Sequence, residues 1–133
     1  MSQAYYYGCS HTGAWGFKDA LQKKYKVFYA LKLFGDIVKD YSTICASESS
    51  GSITLFPVKN DADGRKALLV VDYGGESRCI SVDVKGVPEG AKATCTLLDY
   101  KHDLTPFEVE YKNGRLDLVK PDFFSAAFLV EFE

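Results

Sequence analysis

Two carboxylates and a histidine, the residue types that carry acid–base and metal chemistry, lie together in the stretch "LLDYKHDLTP". They are Asp99, His102 and Asp103. A histidine titrates near neutral pH and a neighbouring carboxylate can orient its ring, so the group could bind a metal ion or serve a small independent hydrolase. The alternative is a turn in which the aspartates accept hydrogen bonds from nearby backbone amides. We expect the turn, because all three residues lie in one connection between predicted strands.

The first part of the chain has few carboxylates that could cleave a glycosidic bond. That reaction needs two of them, about 5 to 9.5 Å apart, on opposite sides of the bond. The acidic residues before residue 46 are Asp19, Asp36 and Asp40. Asp36 and Asp40 lie four residues apart on a predicted helix, away from the end of the first strand. We therefore predict that this chain lacks a catalytic carboxylate pair.

The cysteines and the remaining aspartates favour structural roles. The four cysteines lie far apart, without the paired spacing of a zinc site, at Cys9, Cys45, Cys79 and Cys95. Cys79 and Cys95 fall in strand-like runs and are expected to be buried free thiols. The stretch "VKNDADGR" fails as a calcium loop because Lys59 occupies the first ligand position. Asp61 and Asp63 are therefore expected to be turn residues, and no metal site is predicted.

Composition and motifs argue against several function classes. Sixteen basic and eighteen acidic residues give a net charge of -2, so no nucleic-acid partner is expected. The sequence contains no P-loop, nucleophile elbow or dinucleotide-binding glycine pattern, and no cofactor is predicted. It also shows neither a secretory signal pattern nor the ~18 consecutive apolar residues of a membrane span. No membrane partner is expected, and the compartment is left open.

Two regions of the chain differ in hydrophobic period. From residue 20 to about residue 41, apolar side chains recur every three or four residues, which predicts an amphipathic helix. The polar segment "ASESSGS" at 46–52 is the expected boundary. Beyond it the period is two, which predicts seven strands. They lie at 53–58, 66–73, 78–85, 91–99, 107–112, 115–119 and 124–132.

The second region is typical of an antiparallel β-sandwich, with short strands and regular turns. The pair Asn113-Gly114 predicts a hairpin with positive φ at both residues. The first region reads as a strand, a loop and a helix, which is half of a βα unit and needs a larger parallel sheet. The predicted fold class is therefore mainly β: an antiparallel β-sandwich of about seven strands preceded by a strand-loop-helix (βα) segment.

Aromatic residues suggest where a sugar could bind. Trp15 follows the first predicted strand, and its indole could stack on the apolar face of a sugar or pack against the following helix. Carbohydrate binding by the sandwich would require a row of exposed aromatic side chains on one face. Tyr73, Tyr100 and Tyr111 are the candidates, although they fall on different strands or turns.

The segment "AYYYGCSHTGAWGFKDALQKKYKVFYALKLFGDIV" resembles the closing part of a clan A glycoside hydrolase barrel. It is most similar to the family 39-like group, which includes β-xylosidase and α-L-iduronidase relatives. The matching positions in the strand, loop and helix are Tyr5, Tyr6, Tyr7, Trp15, Gly16, Phe17, Asp19, Phe28, Tyr29, Ala30, Lys32 and Phe34. The resemblance continues through the sandwich at Gly86, Pro88, Gly90, Leu98, Asp99, His102, Asp103 and Leu104. Gly8 and Cys9 depart from the family's Asp-Ala.

This resemblance implies that residues 1–46 are the last βα unit of a TIM, or (β/α)8, barrel and that residues 47–133 are the C-terminal β-sandwich domain. The clan's catalytic glutamates end the fourth and seventh barrel strands, which would precede residue 1, so no catalytic residue is carried over. Trp15 would lie near the substrate of the parent enzyme. The resemblance implies the catalytic barrel as a partner. The exposed aromatic candidates leave an oligosaccharide as a second possible partner, and the apolar stripe of the exposed βα unit predicts pairing with a second copy.

Three functions are consistent with the sequence. The favoured function is non-catalytic structural support of the barrel of a glycoside hydrolase by its C-terminal domain. One alternative is a carbohydrate-binding module-like domain. The other is the small independent hydrolase that would use Asp99, His102 and Asp103.

Overall fold

The computed structural model describes residues 23–74 and 77–133, which contain one α-helix and nine β-strands. Helix α1 spans Lys26–Asp40. The strands are β1 (Thr43–Ile44), β2 (Ile53–Lys59), β3 (Lys66–Asp72), β4 (Cys79–Asp83), β5 (Ala93–Leu98), β6 (Asp103–Phe107), β7 (Glu110–Lys112), β8 (Arg115–Val119) and β9 (Ala126–Phe132). The predicted fold class, mainly β with antiparallel strands after a helix, is confirmed. No helix among the described residues is long and apolar enough to cross a membrane.

The strands form two antiparallel sheets. Six of them pair in the order β1-β2-β3-β9-β5-β6, and three in the order β4-β8-β7. Strand β9 therefore lies between β3 and β5 in the middle of the larger sheet. The β7–β8 hairpin turns at Asn113 and Gly114, whose φ angles of 53° and 72° confirm the turn predicted from the sequence.

The main core fills the space between the two sheets. Every second residue of β4 and β8 is buried, as the two-residue period of a strand requires. Phe128 of β9 is fully buried, and its ring centre lies 5.5 Å from that of Phe107. The buried members of this core are Leu68, Val70, Ile80, Val82, Cys95, Leu97, Leu116, Leu118, Ala126, Phe128, Val130 and Phe132.

Helix α1 covers the opposite face of the six-stranded sheet. Leu33, Ile37 and Tyr41 recur every four residues at the helix and its C-terminal end, and all three are buried. They pack on a second cluster from the sheet, formed by Val58, Ala67, Leu69 and Leu129. Because β3 and β9 are covered on both faces, their sequences "KALLVVD" and "AAFLVEF" are nearly continuous apolar runs.

The boundaries of several elements differ from the sequence prediction. The helix begins at Lys26 rather than near residue 20, after Tyr25 in an extended conformation. Two strands are absent from the sequence prediction: β1, which has only two residues, and β6, which contains Pro106. Proline is compatible with β6 because this strand lies at the edge of its sheet.

The expected burial of the cysteines is half right. Cys95 of β5 is buried as predicted, and burial raises the pKa of its thiol to about 12, so the nucleophilic thiolate is disfavoured. The prediction for Cys79 is wrong, because this residue is exposed. Strand β4 buries its second and fourth residues, so Cys79 at its first position points away from the core.

Asp61 ties the short strand β1 to the turn between β2 and β3. Its carboxylate accepts hydrogen bonds from the hydroxyls of Ser42, at 3.1 Å, and Thr43, and it lies 2.8 Å from Lys59 Nζ. The hydrogen bonds from Lys59 and Thr43 lower the pKa of Asp61 to about 2. The predicted turn role of this residue therefore includes a contact with β1.

We expect an NMR titration to give a carboxyl pKa of about 2 for Asp61. An unfolded aspartate titrates near about 3.9, so the folded-state pKa is depressed. The carboxylate therefore stabilises the fold fully above about pH 4, and this contribution is lost as the pH falls toward about 2. Asp61→Asn should flatten that part of the stability–pH curve in chemical denaturation. A measured pKa near the unfolded value would contradict these contacts.

Candidate functional site

Asp99 and His102 lie in the turn between β5 and β6. One carboxylate oxygen of Asp99 accepts hydrogen bonds from the backbone amides of Lys101, at 2.8 Å, and His102, at 2.7 Å, and lies 2.8 Å from His102 Nδ1. Burial opposes ionisation of Asp99, but the hydrogen bonds from His102 and Lys101 outweigh it and lower the pKa of this carboxyl. Asp99 therefore acts as the acceptor that closes the turn.

Asp103 contacts the helix instead. Its carboxylate lies 2.5 Å from Nζ of Lys26, the first residue of α1, and the same ammonium donates a hydrogen bond to the carbonyl of His102 at 3.2 Å. These contacts join the helix start to the β5–β6 turn. Turn closure and helix attachment account for the contacts of Asp99, His102 and Asp103.

A second group of acidic residues lines a groove between α1 and the six-stranded sheet. The groove has a volume of about 270 Å³, and Asp36, Asp40 and Glu131 lie along it. Glu131 accepts a hydrogen bond from the Tyr41 hydroxyl at 2.8 Å. Burial, and then the Glu131 carboxylate, raise the pKa of Tyr41. Asp36 pairs with Lys32 at 2.5 Å. The groove is therefore the seam where the helix attaches to the sheet.

Four aromatic side chains are exposed where β3 and β5 end and β9 begins. We call Tyr73, Tyr100, Phe123 and Phe124 the aromatic end patch; each is at least 58% exposed. The rings of Tyr100 and Phe124 are 5.6 Å apart. The Ser125 hydroxyl donates a hydrogen bond to the carbonyl of Tyr73 at 2.5 Å, which joins the end of β3 to the segment before β9. A concentration of exposed aromatic rings marks a binding surface more often than scattered ones do.

A buried ion pair holds the loop that carries this patch. Lys120 and Asp72 have fully buried side chains, and Lys120 Nζ contacts the Asp72 carboxylate. The ammonium also donates to the carbonyl of Phe124 at 3.2 Å, and the Ser52 hydroxyl donates to Asp72 at 2.9 Å. Buried charges are costly unless they are paired and hydrogen-bonded, so both partners are restricted to this arrangement. The hydrogen bond from Lys120 thereby holds the backbone of Phe124 in place.

Charged side chains at the rim of the patch have contacts of their own. Lys101 lies 2.8 Å from Asp122. The guanidinium of Arg78 lies 5.5 Å from the ring centre of Phe123 and donates to the carbonyl of Pro121 at 3.3 Å. The rim therefore presents paired charges and a cation held over an aromatic ring.

The residues predicted for sugar contact have different outcomes. Trp15 lies outside the described residues, and its role stays a prediction. The structure brings Tyr73 and Tyr100 to the same end of the sandwich. Tyr111 is half-buried instead, because its hydroxyl donates to the carbonyl of Val87 at 3.0 Å and its ring packs on Phe132.

No sequence pattern indicates that Phe123 and Phe124 belong to this surface. Phe124 is the first residue of the last predicted strand at 124–132, where a phenylalanine is expected to be core, but the structure exposes it before β9. No group of three or more His, Cys, Asp or Glu residues in the described part of the chain is placed to hold a metal ion. Asp63 accepts a hydrogen bond from the Arg65 amide at 3.0 Å, which is the turn role expected for it.

Comparison with solved structures finds the same fold in parts of several glycoside hydrolases. No family model and no curated protein matches the chain. A GH30 endoxylanase from Clostridium papyrosolvens C71 superposes with a TM-score of 0.68 at 12% identity, over 92% of this chain and 31% of that one. A family 30 subfamily 8 xylanase from Clostridium acetobutylicum gives 0.67 at 13% identity, over 91% and 32%. The catalytic domain of a GH30 xylanase from Talaromyces cellulolyticus gives 0.50 at 22% identity, over 64% and 19%.

The chain thus has the fold of one part of clan A glycoside hydrolase structures. It spans about a third of the length of the two Clostridium xylanases. The similar structures belong to family 30, whereas the family 39-like assignment stays a prediction.

We expect Asp99→Ala to lower the free energy of unfolding by about 1–3 kcal/mol, because backbone amides in the turn lose their acceptor. His102→Ala keeps those amide bonds and should cost less than about 1 kcal/mol. Urea denaturation measures both effects. Neither variant should change the rate of hydrolysis of aryl glycosides or polysaccharides. A hydrolytic activity of the wild type that His102→Ala abolishes would instead establish the independent-hydrolase alternative.

We expect Lys120→Met to destabilise the fold by about 3–5 kcal/mol, because the Asp72 carboxylate stays buried without its ammonium. The double variant Lys120→Met/Asp72→Leu should regain much of this loss, since the uncompensated charge is gone. The matched control is Lys101→Met, which breaks an exposed pair and should change stability by at most about 1 kcal/mol. Guanidinium denaturation gives the three values. A double variant no more stable than Lys120→Met would contradict the charge-pair explanation.

Proposed function

We propose that this chain is the C-terminal β-sandwich part of a larger clan A glycoside hydrolase and that it supports the catalytic barrel without catalysing the reaction. The observation that carries the proposal is the fold shared with about a third of two xylanase chains. The rest of such an enzyme would supply the barrel. Within the clan, the sequence motifs favour the family 39-like group for the parent enzyme.

Helix α1 has a second apolar side that suits a position between the sandwich and a barrel. Val27, Leu31 and Val38 lie four and seven residues apart, beside the stripe that packs on the sheet. Val38 is 55% exposed. Val27, Leu31 and Val38, which we call the second apolar stripe, are absent from the cluster that joins α1 to the sheet. A helix with two apolar sides is typically buried by neighbouring elements on both of those sides. We infer that the second side contacts the barrel.

The carboxylates support the non-catalytic part of the proposal. Asp99 closes a turn, Asp103 holds the helix start, and Glu131 accepts a hydrogen bond from Tyr41. A glycosidase pair would have to face each other across a sugar, with one member free to give up its proton. Asp99, Asp103 and Glu131 are instead held by hydrogen bonds within the fold, which does not suit such a pair. The glutamates of the reaction would belong to the barrel.

The test compares one substitution in two proteins. The gene sequence upstream of residue 1 should encode a barrel with two glutamates at strand ends. In that longer protein, Val38→Gln should cost about 2 kcal/mol, because it places an amide in the apolar contact with the barrel. In the 133-residue chain the same change should stay within about 0.5 kcal/mol, as is usual for an exposed position. Thermal and chemical unfolding measure both.

The control is Lys39→Gln, which introduces the same side chain one residue further along the helix, outside the apolar stripe. It should be near neutral in both proteins. An upstream sequence without a barrel, or a Val38→Gln effect that is small in both proteins, would overturn the proposed support role. In the 133-residue chain the same stripe can pair with a second copy. At concentrations where sedimentation shows self-association, Val38→Gln should weaken it, and the unfolding comparison is made below those concentrations.

A further inference from the structure

We propose that the aromatic end patch binds a neutral polysaccharide chain built of pyranose sugars. This binding function goes beyond the support role. It also rests on that role in one respect, the position of the patch relative to the active site of the parent enzyme.

The rings of the patch are available for stacking. Tyr73 is 83% exposed and Tyr100 is 72% exposed, so most of each ring is open to a ligand. A tyrosine offers a flat apolar ring to the C–H face of a pyranose and a hydroxyl that can donate to or accept from a sugar hydroxyl. Phe124 lies beside Tyr100, with the two ring planes tilted by 40°, and widens the apolar surface.

The patch is held in place before any ligand arrives. The buried Lys120–Asp72 pair binds the carbonyl of Phe124, and the Ser125 hydroxyl binds that of Tyr73. Rigid aromatic side chains lose little conformational entropy on binding, and a fixed loop avoids the further cost of ordering the backbone. The backbone that carries Tyr73 and Phe124 is therefore fixed before binding.

The charges around the patch favour a neutral ligand. Lys101 is paired with Asp122, and Arg78 is held between the Phe123 ring and the carbonyl of Pro121. An anionic ligand would have to separate the lysine from its carboxylate. A neutral sugar can stack on the rings and accept hydrogen bonds at the rim without disturbing either contact.

The patch also lies at the end of the sandwich where α1 begins. Tyr100 belongs to the turn whose His102 carbonyl and Asp103 carboxylate bind Lys26, the first residue of the helix. In a (β/α)8 barrel the helices start at the face that carries the active site, because they follow the loops after the strands. With α1 as the last barrel helix, the patch would lie toward the face of the barrel that carries the active site.

The experiment uses the 133-residue chain with xylohexaose, cellohexaose and mannohexaose in calorimetric titration, and with insoluble xylan and cellulose in retention assays. The wild type should bind at least one hexaose. Tyr73→Leu/Tyr100→Leu keeps apolar side chains but removes the rings, and should weaken binding about tenfold. Tyr73→Phe/Tyr100→Phe keeps the rings and should bind within about threefold of the wild type, since stacking is retained.

A third variant, Ile44→Ala, removes an exposed apolar side chain from β1 and should bind like the wild type. Absence of binding to all three hexaoses and both polysaccharides would overturn the proposal. Sugar binding with the same affinity in Tyr73→Leu/Tyr100→Leu as in the wild type would also overturn it, because the sugar would then lie elsewhere. Self-association that the leucine pair abolishes would replace the sugar with a second copy. None of these results bears on Val38→Gln in the longer protein, so the support role is tested separately.

Discussion

The structure depends on the need to cover both faces of its six-stranded sheet. The small sheet of β4, β8 and β7 covers one face, and helix α1 covers the other. Strands β3 and β9 lie at the centre, so apolar residues on both their faces require both layers. If α1 were removed, Leu69 and Leu129 would meet water. The helix is therefore part of the sandwich's packing even though, by resemblance, it belongs to a barrel.

Much of this fold could be predicted because local pattern and burial agree. Strands β4 and β8 alternate strictly, and the Asn113-Gly114 turn has the positive φ angles that its sequence demands. Strand β6 could not be found in this way, since Pro106 argues against a strand unless it lies at an edge. The burial expected for Cys79 followed from the residue type, since free cysteines are usually buried, whereas the alternation of β4 puts Cys79 on the exposed face with Ser81 and Asp83.

The residues whose types suggested chemistry proved to have structural contacts. The sequence correctly favoured a turn for Asp99, because an aspartate followed by nearby amides tends to accept their hydrogen bonds. The attachment of Asp103 to Lys26 could not be predicted, since the two residues are distant in sequence. For the same reason, only Tyr73 and Tyr100 of the aromatic end patch could be proposed from the sequence. Tyr73 and Phe124 become neighbours through the pairing of β3 with β9, which no local pattern encodes.

The central position of β9 has a consequence for folding during synthesis on the ribosome. Leu69 of β3 pairs with Leu129 of β9, and every residue between them must be synthesised before that pairing can form. Translation adds about 5–20 residues per second, so the edge of β3 stays unpaired for a time on the order of seconds. During that interval β2 and β3 form at most a hairpin with one unsatisfied edge, a known template for aggregation. Translation pauses before residue 126 would lengthen this exposure, so codon choice in that stretch bears on the yield of folded protein.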